Sequence, residues 1–298
     1  MLVKEILARS ILNKHKKRDE WFLDDYSVNP YQLCEFNCIY CYIRGSKYGS
    51  NMKTGLGVKI NAPTLLEKAL RLRAKKKEYG FIALSSATEP WMYIEERYCV
   101  TRKCLEIIAE YRFPVHCLTK STLILRDVDL LKKIDETAFL PSDLRAILSR
   151  GVLITFSFST LDEKIAKIFE PNAPSPKERM TALQELKEEG FYAGIAYMPI
   201  LPYISDSDEE LETMVQTAKE LQVDYVFFSP LTLFGIGKEI YFTVLKQRFP
   251  DIAEKCQRLY GNRWYPKKQY SDFFFKKVSW LCKKYGVRLG ITKLKKLM

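Results

Sequence analysis

A chain of 298 residues, 47% hydrophobic and 28% charged, is long enough for one large α/β domain and its core. No apolar run approaches the roughly 20 residues that span a bilayer, and no apolar N-terminal segment leads to a small-residue cleavage site; neither a membrane span nor a secretory leader is expected. The expected location is the cytoplasm, where thiols stay reduced. The net charge of +12 is uneven: residues 251–298 hold thirteen Lys or Arg against three acids. That sign suits a polyanionic partner such as tRNA or DNA, although Lys-rich proteins without nucleic-acid partners also carry it.

Residues 1–24 mix short apolar stretches with the cluster Lys14-His15-Lys16-Lys17-Arg18 and are expected as an N-terminal extension. A first strand at Ser27-Val28-Asn29 leads into a cysteine-rich loop, and helical periodicity follows over 63–76. Strand-type runs at 81–85, 114–119, 152–159, 192–198 and 225–229 then alternate with helical patterns near 97–111, 128–136, 161–169, 177–189 and 208–221. The last helix of that series opens on Asp206-Ser207-Asp208, good capping residues. Alternation of this kind argues for βαβ units and a parallel sheet. About six units fit between 25 and 235, too few for a closed eight-unit barrel. The expected architecture is α/β, a partial (β/α)6 TIM-like barrel with parallel strands, plus a basic helical C-terminal appendage over 236–298, with helices near 251–260 and 271–285. In such folds the chemistry sits at the carboxyl ends of the strands. Gly55-x-Gly57 and Gly235-x-Gly237 are too short to be phosphate loops and read as turns.

The loop over residues 29–44, NPYQLCEFNCIYCYIR, places Cys34, Cys38 and Cys41 at C-x3-C-x2-C spacing beside Tyr31, Phe36, Tyr40 and Tyr42. Three thiolates so close make poor disulfide partners but can ligate three corners of an inorganic cube. We read the loop as holding a [4Fe-4S] cluster with one iron open. A structural zinc site would want a fourth ligand, and the two histidines, His15 and His116, are distant in sequence. The remaining cysteines read as small buried hydrophobes.

With an aromatic just before its last cysteine, the C-x3-C-x2-C motif resembles that of the radical S-adenosylmethionine enzymes. Asn29-Pro30-Tyr31 ahead of it is similar to the group related to spore photoproduct lyase. Further matches are residues 86–90, Thr119-Lys120-Ser121 with Arg126-Asp127, Glu170-Pro171 with Ala173-Pro174, Arg179, and Pro199 to Pro202 with Asp206. The resemblance covers residues 25–235 and implies two cofactors, a [4Fe-4S] cluster and S-adenosylmethionine. It also implies reductive cleavage to a 5'-deoxyadenosyl radical that abstracts hydrogen from a substrate.

The same resemblance implies site residues. Tyr40 packs on the adenine; Ser86, Thr88 and Glu89 meet the methionyl amino group; Lys120 and Arg179 are candidates for the carboxylate, the plainer roles being a strand cap for Lys120 and pairing with Glu170 for Arg179. Ser157 and Ser159, on one strand face, bond the ribose, and Met198 and Ser229 stand at strand ends near the adenine. The spore lyase has a hydrogen-donating cysteine just after its second strand, whereas residues 85–91 here, SSATEPW, carry no thiol. Cys99 and Tyr98, with Tyr93, are the stand-ins if the chain folds them back. Leu33 and Asn37 replace glycines common in related loops. Aromatics interleaved with cations at Tyr260, Trp264, Tyr265, Tyr270 and Trp280 favour a nucleic-acid substrate, by tRNA modification or DNA repair. A small-molecule or peptide substrate, and a non-catalytic cluster protein binding nucleic acid, are the alternatives. A flavodoxin or ferredoxin-type protein is the expected electron donor.

Overall fold

The computed structural model describes residues 2–46, 55–84 and 87–292. Strands β1 (Val3–Ile6), β2 (Leu12–Lys14) and β3 (Asp24–Val28) open the chain, and β4 (Tyr31–Gln32) and β5 (Leu56–Lys59) flank the cysteine loop. Next come α1 (Ala62–Lys75), β6 (Phe81–Leu84), α2 (Glu95–Tyr98), α3 (Val100–Glu110), β7 (Val115–Thr119), α4 (Val128–Thr137) and β8 (Val152–Phe158). They are followed by α5 (Glu163–Phe169), α6 (Pro176–Glu188), β9 (Tyr192–Ile200), α7 (Asp208–Glu220) and β10 (Tyr225–Pro230). Helices α8 (Gly235–Arg248), α9 (Pro250–Tyr260) and α10 (Lys268–Tyr285) complete the described chain.

A seven-stranded sheet runs β10-β9-β8-β7-β6-β3-β2, parallel from β3 through β10 with β2 antiparallel at the edge. These six parallel strands are the six expected units, and the fold is a partial TIM-like barrel. Its strands read as continuous apolar runs because both faces are covered: every residue of β6 is buried, as are six of the seven in β8. Local chemistry sets the helix starts. Ser175 and Glu178 form a reciprocal capping box on α6, with Pro176 in its first turn, while Asp162 and Ser207 cap α5 and α7.

The outer face of the sheet packs on the helices through residues such as Leu66, Leu105, Leu131, Leu183, Met214 and Val278. On the other face, Phe81, Leu153, Tyr225 and Phe227, near the amino ends of their strands, meet Leu23, Leu144, Leu148 and Ile291. Trp21 stacks on Phe227 at 5.7 Å. His116 Nδ1 donates to the Phe22 carbonyl (2.8 Å) and Nε2 faces Thr155 Oγ1 (2.6 Å). Burial lowers the pKa of this histidine to about 4, so it is a neutral strut. The amino end of the barrel is thereby filled, which leaves the carboxyl ends of the strands for polar groups.

Several expectations change in detail. Residues 1–24, expected ahead of the core, supply β1 to a small sheet (β1-β5-β4), add β2 to the main edge and send Trp21 to Leu23 under the barrel. Neither glycine pair is a turn in itself. Gly57 lies inside β5, where a Cβ would press on the Ile6 side chain, and Gly235-Ile236-Gly237 opens α8, a helix absent from the sequence reading. In the C-terminal segment, Phe274, Val278, Leu281 and Cys282 of α10 enter the main core. Two of its lysines are also committed, Lys277 to Asp208 and Lys284 to Glu212 of α7. Among the described residues no helix is long and apolar enough to cross a membrane.

Candidate functional site

The cysteine loop is pinned from several sides. Ile39 N–H donates to the Phe169 carbonyl (2.8 Å) and the Asn172 amide to the Glu35 carbonyl (2.9 Å). Arg44 reaches back to the carbonyls of Cys38 and Asn37, each at 3.1 Å. Leu33 and Asn37 adopt φ of 68° and 52°, a left-handed backbone that glycine takes without strain. The loop thus keeps a glycine-like backbone at a cost of roughly 1–2 kcal/mol for the leucine. Beneath it, Tyr40, Phe169, Leu201, Leu231, Leu233 and Tyr241 form an apolar cluster with α8 and α9.

Gly45 closes the loop against Phe234, whose carbonyl oxygen occupies the space a Cβ would need, while Gly237 at the start of α8 packs on the Cys41 carbonyl and Arg44. Gly45→Ala is therefore expected to push the loop off α8 and lower iron and sulfide content after reconstitution by at least half. The far-UV circular dichroism should stay that of the wild type. Full cluster loading would show that this contact does not position the thiols.

All three thiols are half-buried and unpaired. Burial, then the neighbouring Glu170, pushes the Cys38 thiol up to about 12, with Lys120 and Arg179 opposing; burial and the other two loop thiols raise Cys34 as well. Such thiols are protonated in the free protein and deprotonate on binding a cation. Among the described residues no three His, Cys, Asp or Glu side chains converge on a single-ion site. The fit to a multi-iron cluster rests on the three soft donors of one pinned loop.

At the strand ends a hydrogen-bonded network joins most of the expected residues. Glu89, beyond β6, accepts from Thr119 Oγ1 (2.6 Å), Lys120 N–H (2.9 Å) and Trp91 N–H (3.2 Å). Burial nonetheless holds its carboxyl above the usual range. Lys120 Nζ donates to Ser157 Oγ (2.6 Å) and stands 6.0 Å from the Tyr40 ring centre, and Ser157 Oγ donates to the Met198 carbonyl (2.9 Å). Glu170 receives the Tyr40 hydroxyl, Ser159 Oγ (2.9 Å) and Arg179. Among the described residues Thr88 Oγ1, buried beside Glu89, has no hydrogen-bond partner, and an incoming polar ligand would supply one.

Some candidates stand elsewhere or take other roles. Arg179 donates to the Pro174 carbonyl (2.8 Å), the Ser157 carbonyl (2.9 Å) and Glu170, and its side chain is 1% exposed. Each guanidinium nitrogen thus has a partner within the chain. Ser229 Oγ only closes on the neighbouring Pro230 carbonyl (3.4 Å). Tyr98 reaches Glu5 on β1 (3.1 Å), and Cys99, in a left-handed turn between α2 and α3, faces the Glu96 carbonyl (3.6 Å). Among the described residues neither bonds directly to Glu89, Lys120, Ser157 or Glu170; the Cys99 sulfur also receives Arg126 (3.9 Å). Ser86 lies outside the described residues. Glu170, which the sequence offers both within a motif and as a partner for Arg179, is the hub of the network. An acid followed by Pro171 and Pro174 immediately after an apolar helix was the available signal.

The chain matches the Radical SAM superfamily model over residues 28–218. It is 25% identical to an uncharacterized protein of Mycobacterium tuberculosis (strain ATCC 25618 / H37Rv) over 94% of this chain and 80% of the other. It is 22% identical to a Radical SAM Nalpha-GlyT isomerase of Pseudomonas phage M6, over 63% of this chain and 36% of that one. The fold is similar to spore photoproduct lyase complexed with dinucleoside spore photoproduct, with TM-score 0.68 and 15% identity over 96% of this chain and 81% of the other. It is also similar to Streptococcus suis SuiB bound to precursor peptide SuiA, with TM-score 0.55 and 16% identity over 89% and 47%. The match extends from β3 through most of α7 and takes in the cysteine loop and every strand-end residue of the network. On it the chain belongs to the radical SAM superfamily of enzymes, whose cofactors are a [4Fe-4S] cluster and S-adenosylmethionine.

Proposed function

We propose that this enzyme generates its radical at the carboxyl end of the barrel and applies it to a nucleic acid. Cys34, Cys38 and Cys41 would hold the cluster. Once bound, the two cofactors supply one-electron cleavage of the sulfonium to methionine and a 5'-deoxyadenosyl radical, which takes a hydrogen atom from a substrate C–H bond. The protein's share is placement. Glu89, held above its usual pKa by burial, gains a countercharge from a cationic amino group, and Thr88 gains a hydrogen-bond partner. Lys120 faces the carboxylate. Tyr40, its hydroxyl held by Glu170, offers its ring to the adenine, and Ser157 and Met198 line the same rim.

The observation that carries the cofactor assignment is the network joining the loop, through Tyr40 and Glu170, to the ends of β7 and β8. Nucleic acid as the substrate class is supported by the +10 balance of residues 251–298 and by the nucleoside and GlyT in the names of two similar proteins. A peptide substrate is the second reading, on the likeness to peptide-bound SuiB. A flavodoxin or ferredoxin, acidic against this basic chain, would deliver the electron.

Reconstituted anaerobically with dithionite and S-adenosylmethionine, the protein is expected to release 5'-deoxyadenosine. Incubation with deuterated tRNA, DNA, peptides or metabolites in turn identifies the substrate by deuterium in that product. Deuterium from the peptide arm alone would overturn the nucleic-acid reading.

A further inference from the structure

Basic and aromatic residues are spread over the last fifty positions, but the structure sorts them into those that can meet a ligand and those that cannot. Tyr260 is buried with its hydroxyl on the Leu231 carbonyl (2.6 Å), and Tyr270 is half-buried on Asp206 (2.6 Å). Trp264 and Tyr265 are different: adjacent in the loop between α9 and α10, they are 57% and 59% exposed. Single exposed aromatics are ordinary, but two in succession on one loop concentrate apolar surface at one place.

The loop is nevertheless held in place. Leu233 N–H donates to the Trp264 carbonyl (2.7 Å), and Lys238 Nζ binds the carbonyls of Gly261 (2.6 Å) and Arg263 (2.9 Å). Pro266 is buried next to the aromatic pair, and the Phe234 ring supports Trp264 at 4.9 Å. The carbonyl of that same Phe234 is the surface on which Gly45 of the cysteine loop rests. The exposed pair therefore sits beside the loop that would hold the cluster, just past the carboxyl end of β10. Residues 261–270 carry Arg263, Lys267 and Lys268 and no acid.

We infer that Trp264 and Tyr265, flanked by Arg263 and Lys267, form a stacking platform that delivers single-stranded or flipped-out nucleotides to the barrel mouth. The inference deepens the nucleic-acid reading and rests on it. Aromatic faces held ready on an ordered loop stack bases regardless of sequence, and the neighbouring cations neutralise the phosphates that come with them. A peptide would find no acidic partner for its own basic groups in this stretch, and its gain from the bare rings would not depend steeply on salt.

The test uses the reconstituted protein and fluorescence anisotropy with labelled single-stranded DNA and RNA in separate arms. Wild type is expected to bind at least one of them, with affinity falling steeply as salt rises. Trp264→Ala/Tyr265→Ala should bind at least tenfold more weakly with unchanged cluster absorbance and melting temperature. Phe273→Ala, on the exposed side of α10, should bind as wild type does. If wild type binds neither strand, the nucleic-acid reading falls together with the platform. If it binds and the Trp264/Tyr265 variant binds equally well, the platform alone falls.

Discussion

Cys34→Ala, Cys38→Ala and Cys41→Ala are each expected to abolish the brown cluster absorbance and to bring 5'-deoxyadenosine release to background. The fold should survive. None of the three thiols makes a disulfide, and all are half-buried, so losing one sulfur from the free protein costs about 1 kcal/mol. The apolar floor beneath the loop, Phe169, Leu201, Leu231 and Tyr241, has other partners in α8 and α9. Thermal melts of the unreconstituted variants should thus superimpose on wild type to within a few degrees. Reconstitution would then raise the melting temperature of wild type alone, because a ligand bound only by the native state stabilises it by mass action. Iron bound at wild-type stoichiometry by any one variant would remove that cysteine from the ligand set, and unfolding of all three before reconstitution would make the loop a structural element.

How much of this was legible beforehand follows from which residues carry local signals. Five of the six parallel strands were visible as short apolar runs, whereas β3, with two acids at its start, showed only its last two residues, and the cysteine spacing stood out because three soft ligands in eight positions have few uses. Helix α8 was hidden by its own first turn. Gly235 and Gly237 look like a loop, and what seats the helix start there, the close approach of Gly45 to the Phe234 carbonyl, is a contact across nearly two hundred residues. Pairing of Arg179 with Glu170 was legible, but the rest of their surroundings was hidden in the same way. Nothing in the sequence says that Glu170 will receive Tyr40 from 130 residues away, or that two backbone carbonyls will share the Arg179 guanidinium. The exposure of Trp264 against the burial of Tyr260 likewise depends on how the loop after α9 folds back onto β10.

Arg179→Met is expected to be the most destabilising single change in the site. Both Arg179 and Glu170 are 1% exposed, so removing the guanidinium strands a buried carboxylate and costs roughly 3–5 kcal/mol. The melting temperature should fall by about 10 °C, and Arg179→Met/Glu170→Gln should recover a large part of it. The pH dependence identifies the charge. Burial alone would raise the Glu170 carboxyl, but Arg179, then Lys120 and the Tyr40 hydroxyl, outweigh it and hold the carboxyl below the usual range. In wild type this group therefore contributes stability above the unfolded glutamate value near 4.3, and the contribution is lost as pH falls through the folded value. In Arg179→Met burial has lost its main opponent, the folded value rises, and the variant loses stability as pH climbs above 4.3, where the unfolded chain ionises more readily. The gap between the two proteins should accordingly widen from pH 4 to pH 7. A gap independent of pH would mean that Glu170 is not ionised in the native protein, and the network would then hold Tyr40, and with it the cysteine loop, by neutral hydrogen bonds alone.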